Sequence, residues 1–356
     1  MTDLEIMKKF PSRIFSGHFG KCHCQGIAVD EKNGFIYYSF TTLLVKTDLQ
    51  GRLVGTVDGL IGHLGCIAYN REDGKVYGSL EFKNDVIGRG ILATLGTEKT
   101  FDDAFYCAIF DVERIDRVGM SAERDGVMRC VYLGEVVADF NGTGKDGKPP
   151  RYGCSGIDGT SFGVIPADES KKHRLFICYG IYSDLERDDN DYQVILCYDA
   201  DDWWDTYAKP LSQSSMHTNG PARAYEKFFL YTGNTVYGVQ NLEYDAYTGD
   251  FLAAVYNGRK PQFPNYCMYV IDGSIAPVSS THKSTGEPIR ELSLKSAGLS
   301  QNGIWGNNFP RGSTGIYAFG NGFYYFSEPG NDENGQFTNI RLDRATNDPA
   351  NPFERA

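Results

Sequence analysis

The segment Gln25-Gly26-Ile27-Ala28-Val29-Asp30-Glu31-Lys32-Asn33-Gly34-Phe35-Ile36-Tyr37 contains two strand-like runs joined by an acidic turn that ends in glycine. The pattern returns forty residues later, where Ile67-Ala68 takes the place of Ile27-Ala28. Gly74 then stands where Gly34 stood. Similarity at a fixed period is typical of folds in which each repeat is one small supersecondary unit. The segment therefore predicts a repeated β unit.

Strand-like runs along the chain fall into five sets, each of which predicts a four-stranded antiparallel sheet. The fourth set includes Arg290 to Leu294, whereas the fifth offers only three runs. An unassigned strand at 12–16 would complete the fifth set and remove an open sheet edge. We therefore predict an all-β chain, a five-bladed β-propeller in one domain over 1–356, with six blades as the alternative if 84–160 hides extra strands. The predicted blades span 22–60, 62–140, 152–232, 238–295 and 300–345.

Composition agrees with many short strands and tight turns. The chain has 41 glycines, 23 tyrosines and 22 phenylalanines but only 6 methionines. The formal net charge is −11 and no basic run stands out, which argues against nucleic-acid binding. The sequence has no apolar run of membrane-spanning length, and residues 1–20 do not read as an export leader. We expect a cytoplasmic protein with no membrane partner.

Nine cysteines, most of them inside strand-like runs, predict buried reduced thiols. Cys22 and Cys24 flank His23, which raises the question of a metal site. A structural zinc site would require a second pair of ligands at short spacing, and the sequence does not supply one. We therefore assign no metal ligands.

The long insertions, which are 82–103, 135–160, 180–192, 257–265 and 295–314, mostly follow strands that end at one face of the predicted ring. Functional residues are expected in such loops and at the strand ends beside them. Aligning the inner strands brings several polar side chains to this mouth, each of which could instead have a structural hydrogen-bonding role. They are His23, His63, Arg311, Asp158, Gln25 and Gln240.

The ends of the second strands and the rim loops add further candidates. We expect a tyrosine there to act as a proton donor or merely to pack, and Trp305 to stack on a sugar or to cover the core. The added residues are Glu81, Tyr179, Tyr182, Arg259, Glu328 and Trp305.

These residue types fit β-elimination from a uronate-containing oligosaccharide. Arg311 would neutralise the carboxylate, His23 or His63 would remove the α-proton, and a tyrosine, Tyr182 or Tyr179, would protonate the leaving oxygen. Glycoside hydrolysis is the alternative, with Asp158 and either Glu81 or Glu328 as its two carboxyl groups. A metal-dependent lactonase or esterase, and a non-catalytic propeller that binds a ligand or protein on its rim, also stay open.

The strand, acidic turn and strand of residues 25–37 resemble the general pattern of carbohydrate-active and lactonase-like propellers. The resemblance implies an enzyme that acts on a small molecule or an oligosaccharide. We assign no cofactor from the sequence alone; Gln25 and Gln240 either tie neighbouring blades together or hold a channel water or a structural Ca²⁺ or other divalent cation. Arabinanase-type propellers carry an acid on each of three inner strands, whereas this chain has His23 and His63 at two of the matching positions. Propeller lyases that use histidine, arginine and tyrosine are similar in chemistry, although they commonly have seven blades.

Overall fold

The computed structural model describes residues 7–145 and 147–356 of the chain. The first six residues of the segment examined for an export leader lie outside the described residues. Five antiparallel sheets are arranged so that each innermost strand contacts the innermost strand of the next sheet, and the fifth contacts the first. The chain is a five-bladed β-propeller, as the repeat predicted.

The first strand, β1 (Arg13–Phe15), belongs to the last blade. Blade one consists of β2 (Gly26–Asp30), β3 (Phe35–Phe40), β4 (Leu43–Asp48) and β5 (Leu53–Asp58). Blade two consists of β6 (His63–Asn70), β7 (Lys75–Phe82), β8 (Ala104–Phe110) and β10 (Met128–Tyr132), while the short β9 (Met120–Ser121) lies parallel to β5. Region 84–160 therefore supplies β8 and β10 of blade two, the short β9 and the start of β11, and not a sixth blade.

Blade three is built from β11 (Cys154–Val164), β12 (His173–Ile181), β13 (Tyr192–Tyr198) and β15 (Glu226–Tyr231), and β14 (Lys209–Pro210) pairs with β10. Blade four has β16 (Val236–Asp245), β17 (Asp250–Tyr256) and β18 (Met268–Ile271). The segment that follows forms β19 (Val278–Thr281), β20 (Pro288–Glu291), β21 (Leu299–Gln301) and β22 (Ile304–Gly306). Blade five has β23 (Ile316–Ala318), β24 (Phe323–Asp332) and β25 (Gly335–Ala345), with β26 (Phe353–Arg355) paired to β25.

The predicted fourth strand of blade four, Arg290 to Leu294, is divided between two blades. Residues Pro288–Glu291 form β20, which pairs in parallel with β15 and extends the outer edge of blade three. Leu294 forms a bridge with Ile271 of blade four, flanked by backbone hydrogen bonds from the Asp272 N–H to the Ser293 carbonyl oxygen and from the Lys295 N–H to the Val270 carbonyl oxygen. The turn through β19 carries the chain back to the neighbouring sheet edge, which pattern alone could not specify because both edges accept a strand.

The predicted closure strand is confirmed. β1 pairs antiparallel with β25, and Ile14 lies opposite Ile340. Both side chains are buried in a cluster that also contains Ile27 and Tyr38 of blade one. The last blade is thereby tied to the first through both hydrogen bonds and packing.

Helices occupy insertions between strands. They are α1 (Val86–Leu95), α2 (Gly134–Asn141) and α3 (Trp203–Thr206), with 3₁₀ turns at Val112–Arg114 and Arg151–Gly153. α1 begins at Asp85, whose carboxylate accepts a hydrogen bond from the Gly88 N–H, and ends at Gly96 in the left-handed conformation. This helix lies in the 82–103 insertion and brings Ile87 to the mouth of the channel.

Candidate functional site

A cavity of about 180 Å³, here called the deep cavity, lies at the mouth end of the central channel. It is formed where the inner strands of blades one to four begin and where the second strand of blade two ends. The polar and aromatic side chains that line it are His23, Gln25, His63, Glu81, Lys83, Ser155, Asp158, Tyr237, Gln240 and Tyr256. Among the predicted mouth residues, the two histidines, both glutamines, Asp158 and Glu81 are therefore brought together.

Interrupted strand pairing shapes this end of the channel. The register shifts in β6 between Leu64 and Ile67, in β11 between Ile157 and Thr160, and in β16 on either side of Val239. Bulges of this kind re-aim side chains and release backbone groups from the ladder. In β11 the bulge includes Asp158, which explains how a residue inside a strand, and not ahead of it, lines the cavity.

Asp158 is 5% exposed and has no salt bridge among the described residues. Its Oδ1 accepts a hydrogen bond of 3.0 Å from the Cys66 N–H. A Cβ at position 65 would lie 2.3 Å from that oxygen, so Gly65 is required for the carboxyl to fit. Burial outweighs the attraction of His63 and, together with repulsion from Glu81, raises the pKa of Asp158 to about 7. The group is therefore mostly protonated below about pH 7.

Glu81 is equally buried but has charged partners. Its Oε1 lies 2.6 Å from Lys83 Nζ and 3.3 Å from His63 Nδ1, and its Oε2 accepts a hydrogen bond of 3.0 Å from the Ile157 N–H. Burial alone would raise the pKa of Glu81, but Lys83 and His63 bring it below the ordinary value. Glu81 is therefore ionised where Asp158 is protonated.

The pKa values of the two histidines are shifted in opposite directions. Burial alone would lower the pKa of His63, but the nearby carboxyl groups of Glu81 and Asp158 raise it. Burial and the neighbouring His63 lower the pKa of His23. His23 is consequently the neutral imidazole of the pair, and a neutral imidazole can accept a proton.

A wider cavity of about 560 Å³, here called the open cavity, adjoins the deep one and shares His23 and Tyr256 with it. Arg311 and Glu328 line the open cavity, at the end of blade five. Arg311 Nη1 lies 3.5 Å from Glu328 Oε1, and Arg311 Nε lies 3.9 Å from Asp343 Oδ2. The positive charge of Arg311 is thus largely balanced by protein carboxylates.

Four predicted site residues lie outside the linings of these two cavities. The Tyr182 hydroxyl donates to Asp85 Oδ2 at 2.6 Å, and the Tyr179 hydroxyl donates to Asp139 Oδ2 at 2.8 Å in the interior of blade three. Arg259 is exposed in the loop after β17, and Trp305 lies in the β21–β22 hairpin. Both hydroxyl groups are thus paired with protein carboxylates, Tyr182 at the start of α1 beside the mouth and Tyr179 inside blade three.

Sequence reasoning missed two aromatic residues of the deep cavity. Tyr256 is the last residue of β17. The candidate that we chose at the end of this strand was Arg259, which follows later in the chain. Tyr237 has a φ of +64° beside a register shift in β16, which a strand pattern does not reveal. The burial of Tyr256 raises its pKa to about 12, so it stays neutral at ordinary pH.

The described residues contain no cluster of three or more His, Cys, Asp or Glu side chains arranged to hold a metal ion. All nine cysteines are free thiols, including Cys22 and Cys24. The predicted divalent cation in the channel therefore remains a prediction without an identified ligand set. No helix within the described ranges is long and apolar enough to cross a membrane.

No family model matches the chain, and no curated protein matches it. Among solved structures, it is similar to a GH43 β-1,3-galactosidase solved with galactodeoxynojirimycin, at 11% identity and a TM-score of 0.41 over 94% of this chain and 96% of that one. It is also similar to the extracellular domain of a hybrid two-component system from B. thetaiotaomicron, at 10% identity and a TM-score of 0.31. That match covers 90% of this chain and 27% of the other. Likenesses this distant do not say what the chain binds or does.

Proposed function

We propose that the chain is a carbohydrate-processing hydrolase that cleaves a glycosidic bond in the deep cavity. The observation that carries the proposal is a pair of buried carboxyl groups in one cavity, with Asp158 protonated and Glu81 ionised. Glycosidases use one protonated carboxyl group as the acid and one ionised carboxyl group as its partner. The different environments of the two groups set these opposite protonation states.

The reaction follows from these charges. Asp158 donates its proton to the glycosidic oxygen, and the bond between that oxygen and the anomeric carbon breaks. The Glu81 carboxylate opposes the positive charge that develops on the sugar ring. A water oxygen bonds to the anomeric carbon while neutral His23 accepts the water proton, which is later returned to Asp158. Tyr237 and Tyr256 supply faces on which a sugar ring can stack.

The test compares glycosides with good and poor leaving groups. Substrate panels of p-nitrophenyl and methyl glycosides are assayed with the wild type, Asp158→Asn and Glu81→Gln. A general acid contributes roughly 10²–10⁴-fold, so Asp158→Asn should lower kcat by about that factor on methyl glycosides. It should lower kcat much less on p-nitrophenyl glycosides, whose leaving group needs no proton. Equal losses on both would contradict the role of Asp158 as the acid.

The matched control is Asp245→Asn. Asp245 is as buried as Asp158 but lies at the other end of its inner strand, where it accepts a hydrogen bond of 2.8 Å from the Tyr324 hydroxyl. This variant should keep the wild-type kcat on both substrate classes. If the wild type releases no sugar from any member of the panels, the proposal fails.

Lyase chemistry is the second candidate, because neutral His23, Arg311 and Tyr256 line the same open cavity. His23 would remove the α-proton of a uronate and Tyr256, in place of the predicted Tyr182, would protonate the leaving oxygen. The pairing of Arg311 with Glu328 and Asp343 weakens this reading, since a balanced cation attracts a substrate carboxylate less. An ultraviolet-absorbing unsaturated uronate released from acidic oligosaccharides, and its loss in Arg311→Gln, would favour elimination over hydrolysis.

A further inference from the structure

A second cavity, here called the floor cavity, lies at the opposite end of the channel and has a volume of about 200 Å³. Its lining comes from the far halves of all five inner strands and from the turns that follow them. None of the residues that line it belongs to the lining of the deep cavity. The side chains that matter below are Tyr69, Arg71, Phe162, Glu243, Tyr244 and Tyr317.

Hydrogen bonds that join different blades separate the floor cavity from the deep cavity. Asn241 Nδ2 donates to the carbonyl oxygens of Gln25 at 2.8 Å and Ser313 at 3.1 Å. The Cys66 thiol donates to the Thr160 carbonyl oxygen at 3.4 Å. A ligand in the floor cavity would therefore be held independently of a substrate at the mouth.

Glu243 is the chemically distinctive group of the floor cavity. Its Oε1 accepts a hydrogen bond of 2.7 Å from the Ala318 N–H, and no other described residue bonds to the carboxyl. Burial raises the pKa of Glu243 to about 8, even though that hydrogen bond and Arg71 act in the opposite direction. The carboxyl is desolvated without a cation of its own.

Arg71 does not supply that cation, because it is already paired. It donates to Glu31 Oε1 and, at 2.7 Å, to the Tyr317 hydroxyl. The Tyr317 hydroxyl in turn donates to Glu31 at 2.7 Å. With Arg71 balanced by Glu31, the acidic groups left on the lining are the carboxyl groups of Glu243 and Glu72.

Aromatic rings form much of the remaining wall. Tyr69, Phe162, Tyr244 and Tyr317 come from four different blades and line the same space. The His173 ring packs edge-on against Tyr244, with the ring centroids 5.7 Å apart. Aromatic faces together with a carboxylate attract an organic ammonium ion through cation–π contact and a charge-assisted hydrogen bond.

We propose that the floor cavity is a binding site for a small organic ammonium ion, with the ammonium group on Glu243 and the carbon chain against the aromatic rings. Binding breaks the O–H bond of the Glu243 carboxyl, the proton passes to the buffer, and the carboxylate pairs with the ammonium. The inference goes beyond the proposed hydrolase and does not depend on it. The titratable and charged groups that face Glu243 from its own strand and from the neighbouring blades are Asp245, Arg71, Glu31, Glu72, His173 and Tyr317.

The test is isothermal titration calorimetry of the full chain with n-butylammonium chloride, with 1-butanol as the neutral probe of similar shape. We expect saturable 1:1 binding of butylammonium and none of 1-butanol. Titrations at about pH 7 in phosphate and in Tris should give different heats, because the proton released by Glu243 is taken up by each buffer. Affinity should rise with pH up to about 8 and then level off, since the group must lose its proton.

Glu243→Gln keeps the shape and the acceptor for the Ala318 N–H but cannot ionise, and it should weaken butylammonium binding by about tenfold or more. Glu72→Gln removes an exposed carboxylate from the same lining and should change the affinity less than about twofold. Absence of binding to the wild type, equal heats in the two buffers, or unchanged affinity in Glu243→Gln would each overturn the proposal. The buffer comparison uses only the wild type, so it decides the matter even if Glu243→Gln does not fold.

Discussion

At the scale of single residues, two glycines decide where the acids of the deep cavity can stand. A Cβ on Gly65 would meet Asp158 Oδ1 at 2.3 Å, and a Cβ on Gly156 would meet Glu81 Oε2 at 1.9 Å. Both carboxyl groups thus pack directly against backbone, where water is excluded. Their pKa values differ because their contacts differ. Glu81 pairs with Lys83 and His63, whereas Asp158 accepts a hydrogen bond from one backbone N–H.

The raised pKa of Asp158 makes stability depend on pH. Between the ordinary value of 3.8 and about 7, the folded chain binds a proton at Asp158 that the unfolded chain does not. Wild-type stability should therefore fall as pH rises through this window, by as much as about 4 kcal/mol, and level off above it. The side chain in Asp158→Asn cannot titrate. The free energy of unfolding of this variant minus that of the wild type should therefore increase from pH 4 to pH 8.

Urea unfolding at several pH values measures this difference. The control is Asp102→Asn, an exposed carboxylate in the loop after α1, for which the difference from wild type should not grow with pH. A constant difference for Asp158→Asn as well would show that Asp158 is ionised in the folded chain, and the proton donor of the proposed hydrolysis would be lost with it.

At the scale of elements, α1 is the part of the mouth built outside the propeller repeat. Asp85 caps the helix and joins it to the site through Tyr182 and Lys83. Its Oδ1 accepts from the Gly88 N–H at 2.8 Å, and its Oδ2 accepts from the Tyr182 hydroxyl at 2.6 Å and lies 3.6 Å from Lys83 Nζ. One carboxylate therefore holds both the start of the helix and the neighbouring loop of blade three.

Replacing Asp85 with Ala should loosen α1 and the wall of the deep cavity formed by Ile87. Loss of an N-cap and of a hydrogen-bonded partner costs about 1–2 kcal/mol. Hydrogen exchange of the amides of Val86–Leu95 should speed up accordingly. Tyr182→Phe removes only the hydroxyl contact and keeps the cap, so it should accelerate exchange less. If the two variants behave alike, the cap is not what holds the helix.

The elements differ in how far the sequence could predict them. Strand pairs joined by short turns, such as β2–β3 and β6–β7, were readable because alternation and glycine turns are local signals. α1 was missed, although Asp85 and Gly96 mark its two ends in the ordinary way. Residues Arg290 to Leu294 were all assigned to blade four, but Arg290 and Glu291 pair with blade three, because the choice between two sheet edges depends on contacts far apart in the chain.

The position of the candidate site could be predicted from the sequence, but the protonation states of its residues could not. The shared offset of His23 and His63 placed both at the mouth, and the cavity they line also contains Asp158 and Glu81. Which residue holds a proton depends on burial and on side-chain contacts, such as those of Lys83 and His63 with Glu81 within blade two, and residue spacing does not give these contacts. Tyr182 illustrates the same limit, since its place near the mouth was readable but its bond to Asp85 was not.

At the scale of the whole molecule, the ring is held together where its two ends meet. Neighbouring blades elsewhere are joined by a continuous chain, but blades five and one are joined by β1, whose three residues pair with β25. Ile14, the central residue of β1, is 3% exposed and packs in the cluster shared by blades five and one. The open cavity and the floor cavity depend on this closure, since each takes part of its lining from blades one and five.

Ile14→Ala should therefore destabilise the whole ring and not one blade. Truncating a buried isoleucine costs about 2–5 kcal/mol, and urea unfolding followed by fluorescence should shift by that amount in one transition. Arg13→Ala is the matched control, because Arg13 lies on the same strand, pairs opposite Arg341 and is exposed; its effect should stay within about 0.5 kcal/mol. Hydrogen exchange in β2 and β24 should accelerate together in Ile14→Ala, since both strands border the closure. Acceleration confined to β1 and β25 would mean that the closure strand frays alone and that the remaining sheet contacts suffice to hold the propeller shut.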